Sequence, residues 1–211
     1  MKEYHKINTI YKRNMEAKHK PLIVGDWSDP IFEYLADNIW EWDEKIDGTN
    51  IRIMISRCVE FGGKTDNAEI PKKLNEYLHA TFLPQSEKLF DMFPEGACLY
   101  GEGVGEGIQK GGGNYSPDQI FILFDVLVGH MWLKRDAVRE IAKDIKIPSV
   151  PLIGRGNLHE MSSLVKCGFT SRLGNFISEG VVARPEMGLC DRRGQRIIAK
   201  LKHKDFKEEK V

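Results

Sequence analysis

The chain has 211 residues, of which 41% are hydrophobic, and this suffices for the core of one large domain or two small ones. Its 31 Lys and Arg residues balance 31 Asp and Glu residues, so the net charge neither supports nor excludes a nucleic-acid partner. No apolar run approaches the length of a membrane span, and the N-terminus lacks the apolar core of a signal peptide. The four cysteines show no metal-ligand spacing, so we expect free thiols in a reducing compartment. Together these features predict a cytoplasmic protein with no membrane partner.

Residues 1–20 form a mildly basic arm that contains six Lys or Arg residues, including Lys2, and only two glutamates. Two interpretations stay open for this arm, a solvated surface and an edge that contacts phosphates. A short helix is predicted over residues 30–38. The alternation of tryptophans with acidic residues over residues 40–43 then predicts a half-buried strand that leads to Lys45.

The stretch Glu44-Lys-Ile-Asp-Gly-Thr-Asn50 places a lysine where it can act as a nucleophile. A free lysine amine has a pKa of about 10.4, so a nucleophilic Lys45 requires desolvation, other cations or a metal nearby. Asp-Gly is also a common hairpin-turn signal. The two interpretations are compatible, because a reactive residue is well placed where a strand ends in a tight turn.

The next segment contains a predicted strand pair and two helices. Isoleucines at alternate positions of residues 51–55 predict a strand that pairs antiparallel with residues 59–62. Pro71 and Pro84 each suit the first turn of a helix. The segment therefore predicts a hairpin followed by two short helices.

A glycine-rich run over residues 101–113 follows a strand predicted at residues 98–100. The run matches neither common phosphate-loop pattern, so a flexible connection is one interpretation. Glu102 is the candidate binding residue, because it stands at the predicted strand end beside glycines that let a ligand approach the backbone.

Residues 120–128 predict a buried strand with one acid, Asp125, which should have a specific partner. Helical spacing follows over residues 136–145, and Asn157 with Glu160 forms a capping-box pattern. Strands are predicted over residues 179–184 and 196–202. Because strands predominate without a βαβ rhythm, we predict the α+β class with antiparallel sheets.

The last two predicted strands carry charged side chains. Alternation places Glu179 on the face opposite to Val182 and Arg184, and it places Lys200 and Lys202 together on one face. Each strand alone is typical of ordinary exposed sheet. A polyphosphate substrate is the alternative reason for pairing two ammonium groups.

The order of these segments resembles the covalent nucleotidyltransferase superfamily of ATP-dependent ligases and mRNA capping enzymes. The matching pieces across residues 44–202 are Lys-x-Asp-Gly, Gly-Glu, Phe-x-x-Phe-Asp-Val, Glu-Gly-x-Val-x-Arg and Ala-Lys-x-Lys. Within that superfamily the chain is most similar to phage-type RNA ligase 2 enzymes, because Asn50 stands where DNA ligases and capping enzymes have arginine. The resemblance implies an ATP-grasp-like nucleotidyltransferase domain of antiparallel sheets flanked by helices.

The activity that the resemblance implies is ATP- and Mg²⁺-dependent RNA ligation, as in RNA repair. Lys45 would attack the α-phosphate of ATP, and the AMP would pass to an RNA 5′-phosphate before a 3′-hydroxyl displaces it. A minimal DNA ligase is one alternative. A nucleotide-binding or RNA-binding module that has lost the sealing steps is the other.

The resemblance also implies roles for individual residues. The implied nucleotide-binding residues are Glu44, Ile46, Asn50, Lys64, Glu102, Phe124, Val182, Lys200 and Lys202. Among them Glu102 resembles the ribose-binding acid, Phe124 the aromatic stacked on adenine and Val182 the apolar contact on the other face of the base. Glu179 resembles a metal-organising acid, and Asp47, Asp125 and Arg184 support the site.

Two positions depart from the RNA ligase 2 pattern, since Lys64 replaces an arginine and Arg184 replaces a lysine. Such changes could alter the later steps while sparing adenylylation. Only nine residues follow Lys202, too few for the helical C-terminal domain of RNA ligase 2 or the OB domain of DNA ligases. We therefore expect one adenylyltransferase domain over residues 1–211, which grips RNA through its own surface, such as the basic arm, or through a protein partner.

Overall fold

The computed structural model describes residues 3–206. Lys2 of the predicted basic arm and residues 207–211 of the predicted domain lie outside the described residues. The strands are β1 (Asn8–Thr9), β2 (Tyr11–Arg13), β3 (Leu22–Trp27), β4 (Trp40–Glu44), β5 (Thr49–Ile55), β6 (Val59–Gly62), β7 (Ala97–Val104), β8 (Ile120–Val128), β9 (Met131–Trp132), β10 (Leu152–Gly156), β11 (Gly180–Pro185) and β12 (Ala199–Lys202).

The helices are short and lie between these strands. They are α1 (Pro30–Tyr34), α2 (Lys72–Phe82), α3 (Ser86–Met92), α4 (Arg135–Asp144) and α5 (Leu158–Cys167), with 3-10 helices at Leu83–Gln85, Gly112–Asn114 and His203–Phe206. Pro84 lies in the first of these 3-10 helices rather than in α3, which corrects the predicted helix start. Within residues 3–206, none of the helices is both long enough and apolar enough to span a bilayer.

The described chain divides into two compact units. The first unit contains residues 3–5 and 47–150, and its sheet has the strand order β6-β5-β7-β8-β9. The second unit contains residues 6–46 and 151–206, with a sheet of order β1-β12-β11-β4-β10 and a separate β2-β3 hairpin. Apart from the parallel pair β1-β12, the strand pairs are antiparallel, which confirms the predicted α+β class. The single domain over residues 1–211 stays a prediction.

In the first unit the alternating isoleucines of β5 point into the main core. They are fully buried and pack with Leu74 and Leu78 of α2. Between them, Arg52 is also fully buried, because its guanidinium donates to the Gly63 carbonyl (2.7 Å) and to Asp66 (3.0 Å). The predicted hairpin β5-β6 is confirmed.

Strand β7 is longer than predicted, and Glu102 lies inside it rather than at its end. A Cβ on Gly101 would lie 2.2 Å from the Phe121 ring, and one on Gly103 would lie 2.3 Å from Leu74. These glycines therefore serve close packing within a sheet. The predicted flexible connection at this point is wrong for residues 101–104.

In the second unit, all five residues of β4 are buried, so the predicted half-buried strand is wrong. This strand lies between β10 and β11, which cover both of its edges. Trp40 packs in the core with Leu158 and Met161 of α5. Asp43 on the other face has an arginine partner, which makes burial of its charge tolerable.

Residues 6–20 of the predicted basic arm are folded into the second unit. Strand β1 pairs with β12, where Thr9 is opposite Lys200. In the β2-β3 hairpin the Tyr11 and Trp27 rings pack 5.0 Å apart. The N-terminal segment is thus part of the sheet that carries the paired lysines.

Asp125 is fully buried in β8, and the predicted partner is present. The Tyr4 hydroxyl donates to the Asp125 carboxylate over 2.5 Å, and the Tyr4 ring packs against Phe124 with a centroid distance of 5.0 Å. Residues 3–5 therefore contribute to the first unit through a long-range contact with β8.

We expect Tyr4→Phe to lower the free energy of unfolding by about 1–3 kcal/mol, because a buried carboxylate loses a donor. Chemical denaturation measures the change. Tyr34, which is 83% exposed, supplies the control, and Tyr34→Phe should change stability by less than about 0.5 kcal/mol. Equal losses in the two variants would contradict a structural role for the Tyr4 hydroxyl.

Candidate active site

Lys45 directly follows β4, and the backbone around it is fixed by hydrogen bonds within the second unit. The Lys45 N–H donates to the Gly180 carbonyl and the Glu44 N–H donates to the Pro151 carbonyl, each over 2.9 Å. The Lys45 side chain is 19% exposed. Its ammonium group is therefore partly sheltered and reachable from solvent.

The Glu179 carboxylate holds two lysines. One oxygen accepts from Lys45 Nζ (2.5 Å) and the other accepts from Lys202 Nζ (2.6 Å). Burial raises the pKa of Glu179, but the charge of Lys45 and the hydrogen bonds from Lys202 and Lys45 outweigh it and lower the pKa below its ordinary value. Glu179 is therefore an ionised carboxylate between two cations.

The face predicted for Glu179 by alternation is wrong. Strand β11 begins at Gly180, whose φ of +152° is one that L side chains rarely adopt. A Cβ at this position would lie 2.0 Å from the Leu201 carbonyl oxygen. Glu179 lies just before this strand, and its carboxylate reaches Lys202, which lies on the face that also carries Val182.

Lys200 completes the cluster. Burial lowers its pKa, and the positive charges of Lys202 and Lys45 lower it further. Its ammonium group has no hydrogen bond or ion pair with any residue in the range 3–206. Three lysines thus surround one carboxylate, and the excess positive charge suits a polyanion.

Arg184 lies on the same sheet but is paired. Its Nη1 donates to the Asp43 carboxylate over 2.7 Å, and the Asp43 side chain is 2% exposed. Asp43 is also the cross-strand partner of Val182. The charge of Arg184 is therefore balanced within the sheet.

Glu44 is 1% exposed and has one oxygen that the described residues leave without a hydrogen-bond partner. Its other oxygen accepts from the Arg172 N–H over 2.9 Å. A buried carboxylate oxygen without a donor is costly, so this oxygen is a candidate acceptor for a ligand. Ile46 is buried next to Lys45, and its carbonyl lies 3.4 Å from Lys45 Nζ.

The first unit brings three predicted residues to one face of its sheet. Asn50 on β5 is directly opposite Glu102 on β7, and Phe124 packs beside Tyr100 on the same face. The Asn50 side-chain oxygen is buried without a partner among the described residues. Arg135 donates to the Phe124 carbonyl and fixes the backbone there.

The remaining predicted residues of the first unit lie apart from this face or support it. Lys64 is exposed in the loop after β6. The Asp47 N–H donates to the Tyr115 hydroxyl (3.1 Å), and Gln109 Nε2 donates to the Gly48 carbonyl (3.4 Å). Tyr115 and Gln109 carried no sequence signal, because these contacts join residues more than sixty positions apart.

Residues 38–202 match the family model described as RNA ligase. The chain belongs to the RNA ligase family. No curated protein sequence matches it significantly.

Solved structures of Naegleria gruberi RNA ligase share the fold of this RNA ligase family member. A variant with ATP and Mn has a TM-score of 0.67 at 15% identity, covering 97% of this chain and 63% of that one. The ligase with PPi has a TM-score of 0.66 at 17% identity, covering 84% and 53%. An apo variant has a TM-score of 0.64 at 16% identity, covering 84% and 53%. The chain spans about half the length of the apo variant and of the ligase with PPi. The predicted nucleotidyltransferase fold is confirmed.

We expect Lys200→Met to raise the free energy of unfolding at pH 7 by about 0.5–1 kcal/mol, because it removes a half-buried cation beside two others. The folded pKa of Lys200 is lowered, so wild-type stability rises with pH between the folded and unfolded pKa values. The advantage of the variant should therefore shrink as the pH approaches about 10.4. Chemical denaturation of the variant and the wild type at pH 7 and pH 10 measures this difference in stability.

The exposed Lys143 provides the control for this comparison. Lys143→Met should change stability by less than about 0.5 kcal/mol at both pH values. A loss of stability in Lys200→Met at pH 7 would show that the charge of Lys200 does not destabilise the folded protein.

Proposed function

We propose that this RNA ligase family member is an ATP-dependent RNA ligase that works through a lysyl-AMP intermediate on Lys45. The observation that carries the proposal is the cluster of Lys45, Lys200 and Lys202 around Glu179. One lysine follows directly on the buried strand β4, and the others supply excess positive charge for phosphates. A stabilising surface ion pair would not need three cations for one acid.

In the proposed first step, the Lys45 ammonium group loses a proton to solvent and leaves Glu179. The amine then forms a bond to the α-phosphorus of ATP, the bond from that phosphorus to the bridging oxygen breaks, and pyrophosphate leaves with the electron pair. The nitrogen releases a second proton to solvent, which gives the lysyl-AMP. The positive charges of Lys200 and Lys202 would offset the negative charge that develops on the phosphates.

We assign the nucleotide contacts by the chemistry of each side chain. In the second unit, the free Glu44 oxygen would accept from the adenine amino group, and Val182 would pack on the base. In the first unit, Glu102 and Asn50 offer polar groups for the ribose or phosphate, and Phe124 offers an aromatic face. Asp47 and Asp125 position the backbone and the Phe124 side of the sheet.

The residues present fit a magnesium ion that the nucleotide brings with it. Residues 3–206 contain no group of three or more His, Cys, Asp or Glu side chains placed to hold a metal. Mg²⁺ commonly binds through one or two carboxylates, with phosphates and water as its other ligands, and Glu179 is the carboxylate available here. When bound, the ion would offset phosphate charge.

In the proposed later steps, an oxygen of an RNA 5′-phosphate displaces Lys45 from the AMP, and a 3′-hydroxyl then displaces AMP to form the phosphodiester. We propose RNA with these two ends as the substrate, in the cytoplasm, or in the host cytoplasm if the source is a virus. A protein partner would supply further contacts to the RNA.

Incubation with α-labelled ATP and Mg²⁺ tests the first step. We expect the wild-type protein to acquire a covalent label that is stable to denaturation, and Lys45→Ala to acquire none. Lys73→Ala is the matched control, because Lys73 is exposed on α2 in the first unit, and it should label normally. Absence of label in the wild type, or equal label in Lys45→Ala, would refute the lysyl-AMP mechanism.

Nicked duplexes with a 5′-phosphate at the nick, made with RNA or DNA strands, are then added to the labelled protein. This experiment distinguishes an RNA substrate from a DNA substrate. Sealing of RNA strands supports the proposal. Sealing of DNA alone would indicate a DNA ligase, and label without sealing would indicate a module that has lost the later steps.

Glu44→Gln tests the assignment of the base contact. An amide has one acceptor oxygen, and the Arg172 N–H already requires it, so the variant would present an amino group to the adenine amino group. We expect the wild type to prefer ATP over purine riboside triphosphate, which lacks that amino group, by about 10–100-fold in the rate of labelling. The variant should lose most of this preference, and an unchanged preference would exclude Glu44 as the acceptor.

A further inference from the structure

The N-terminal hairpin is tied to the end of the strand that carries Lys200 and Lys202. Arg13 on β2 makes the connection, because its Nη2 contacts the Asp205 carboxylate (2.5 Å) and its Nη1 donates to the Lys20 carbonyl (3.1 Å). Asp205 lies in the 3-10 helix His203–Phe206, directly after β12. The contacts of Arg13 therefore link the hairpin turn that contains Lys20 to the segment that contains Lys204.

Three exposed cations lie along this path. Lys18, Lys20 and Lys204 are exposed, and their ammonium groups form no hydrogen bond or ion pair with the described part of the chain. Of the described acids on this path, Asp205 pairs with Arg13 and Asp26 of β3 pairs with Lys12, and the exposed Glu16 contacts none of the three lysines. We call Lys18, Lys20 and Lys204, with Arg13 between them, the basic strip.

The backbone of Lys20 is fixed in the turn between β2 and β3. Its φ is +46°, in the left-handed region that favours glycine, and its N–H donates to the Ala17 carbonyl. Its carbonyl accepts from Arg13, so the turn that carries Lys20 is held next to β2.

The strip also continues from the phosphate-binding lysines. Thr9 of β1 is paired with Lys200, and Lys204 is two residues beyond Lys202. The positive charge of Arg13 contributes to lowering the pKa of Lys200, which shows that the two are electrostatically close. The cations therefore extend outward from the cluster around Glu179 within one unit.

We propose that the basic strip binds the backbone phosphates of the RNA strand whose end is activated at Lys45. This inference rests on the proposed function and adds the surface that holds the strand. Exposed lysines without acidic partners attract phosphates and release counterions from the nucleic acid, which makes binding salt-dependent. Lysines in this arrangement contact charge rather than sequence, so the grip would be independent of the bases.

The test compares two triple variants in binding a labelled, 5′-phosphorylated single-stranded RNA across a range of salt concentrations. The strip variant carries Lys18→Gln, Lys20→Gln and Lys204→Gln. The control variant carries Lys73→Gln, Lys143→Gln and Lys146→Gln, which are exposed lysines of the first unit, and Lys146 shares a positive φ of 58°. Both lose the same charge, and thermal unfolding confirms that both are folded.

We expect the strip variant to bind RNA about tenfold more weakly at low salt and the slope of log K against log salt to fall in magnitude by about 2, roughly 0.7 for each lost contact. The control variant should bind as the wild type does. Equal loss in both variants, an unchanged slope in the strip variant, or no RNA binding by the wild type would overturn the inference.

Labelling of the wild type by ATP is measured separately, without RNA. If the wild type acquires the label from ATP but the strip variant binds RNA as the wild type does, the proposed role of the basic strip is refuted while the proposed function stands. If the wild type does not label, the proposed function fails whatever the RNA measurement shows.

Discussion

The contact of one carboxylate with two ammonium groups is the interaction on which the candidate site depends. Without Glu179, Lys45 and Lys202 would join Lys200 in an unbalanced group of like charges in a partly buried place. Glu179 directly precedes Gly180, whose φ is +152° and where a side chain would collide with the Leu201 carbonyl oxygen. A single glycine thus permits the geometry, and Lys200 remains as the cation for which the described residues provide no counterion. The arrangement is stable enough to fold and becomes balanced when an anion binds.

The rest of the charged face of the second unit shows how this excess is confined. Arg184 is balanced by Asp43, and Arg155 contacts both Glu41 (2.7 Å) and Glu186 (3.5 Å). The cations of β10 and β11 are therefore matched by acids, whereas the cations beside β12 outnumber theirs. Unmatched positive charge creates a positive electrostatic potential. A polyphosphate would therefore be attracted to the part of the sheet that carries Lys200 and Lys202. This division also gives the departure at Arg184 a physical reason, since an arginine with a buried aspartate partner can serve the fold.

Sequence patterns predicted local features well, and errors arose where distant contacts decide the outcome. The strand over residues 120–128 and the capping box of α5 are confirmed, because apolar runs and caps act within a few residues. Burial of β4, the extension of β7 through Gly103 and the folding of the N-terminal segment all depend on neighbours far along the chain. The face of Glu179 was wrong for the same reason, since alternation assumes a regular strand and Gly180 interrupts it. Motif order predicts Lys45, Lys200 and Lys202 as site residues, whereas the contacts of Tyr115 and Arg13 belong to no motif and depend on the fold.

The distribution of partners among the charged groups separates the chemical steps that we propose. Adenylylation needs a nucleophile, cations for the phosphates and an acceptor for the base, and the second unit presents Lys45, the lysine pair and the free oxygen of Glu44. Sealing additionally requires groups that hold two RNA ends, and for these the fold offers exposed cations such as Lys64 and the basic strip. Exposed lysines bind through charge that salt screens, whereas buried groups bind through fixed geometry. The nucleotide step should therefore be insensitive to ionic strength compared with the sealing steps, because the two depend on contacts of different kinds.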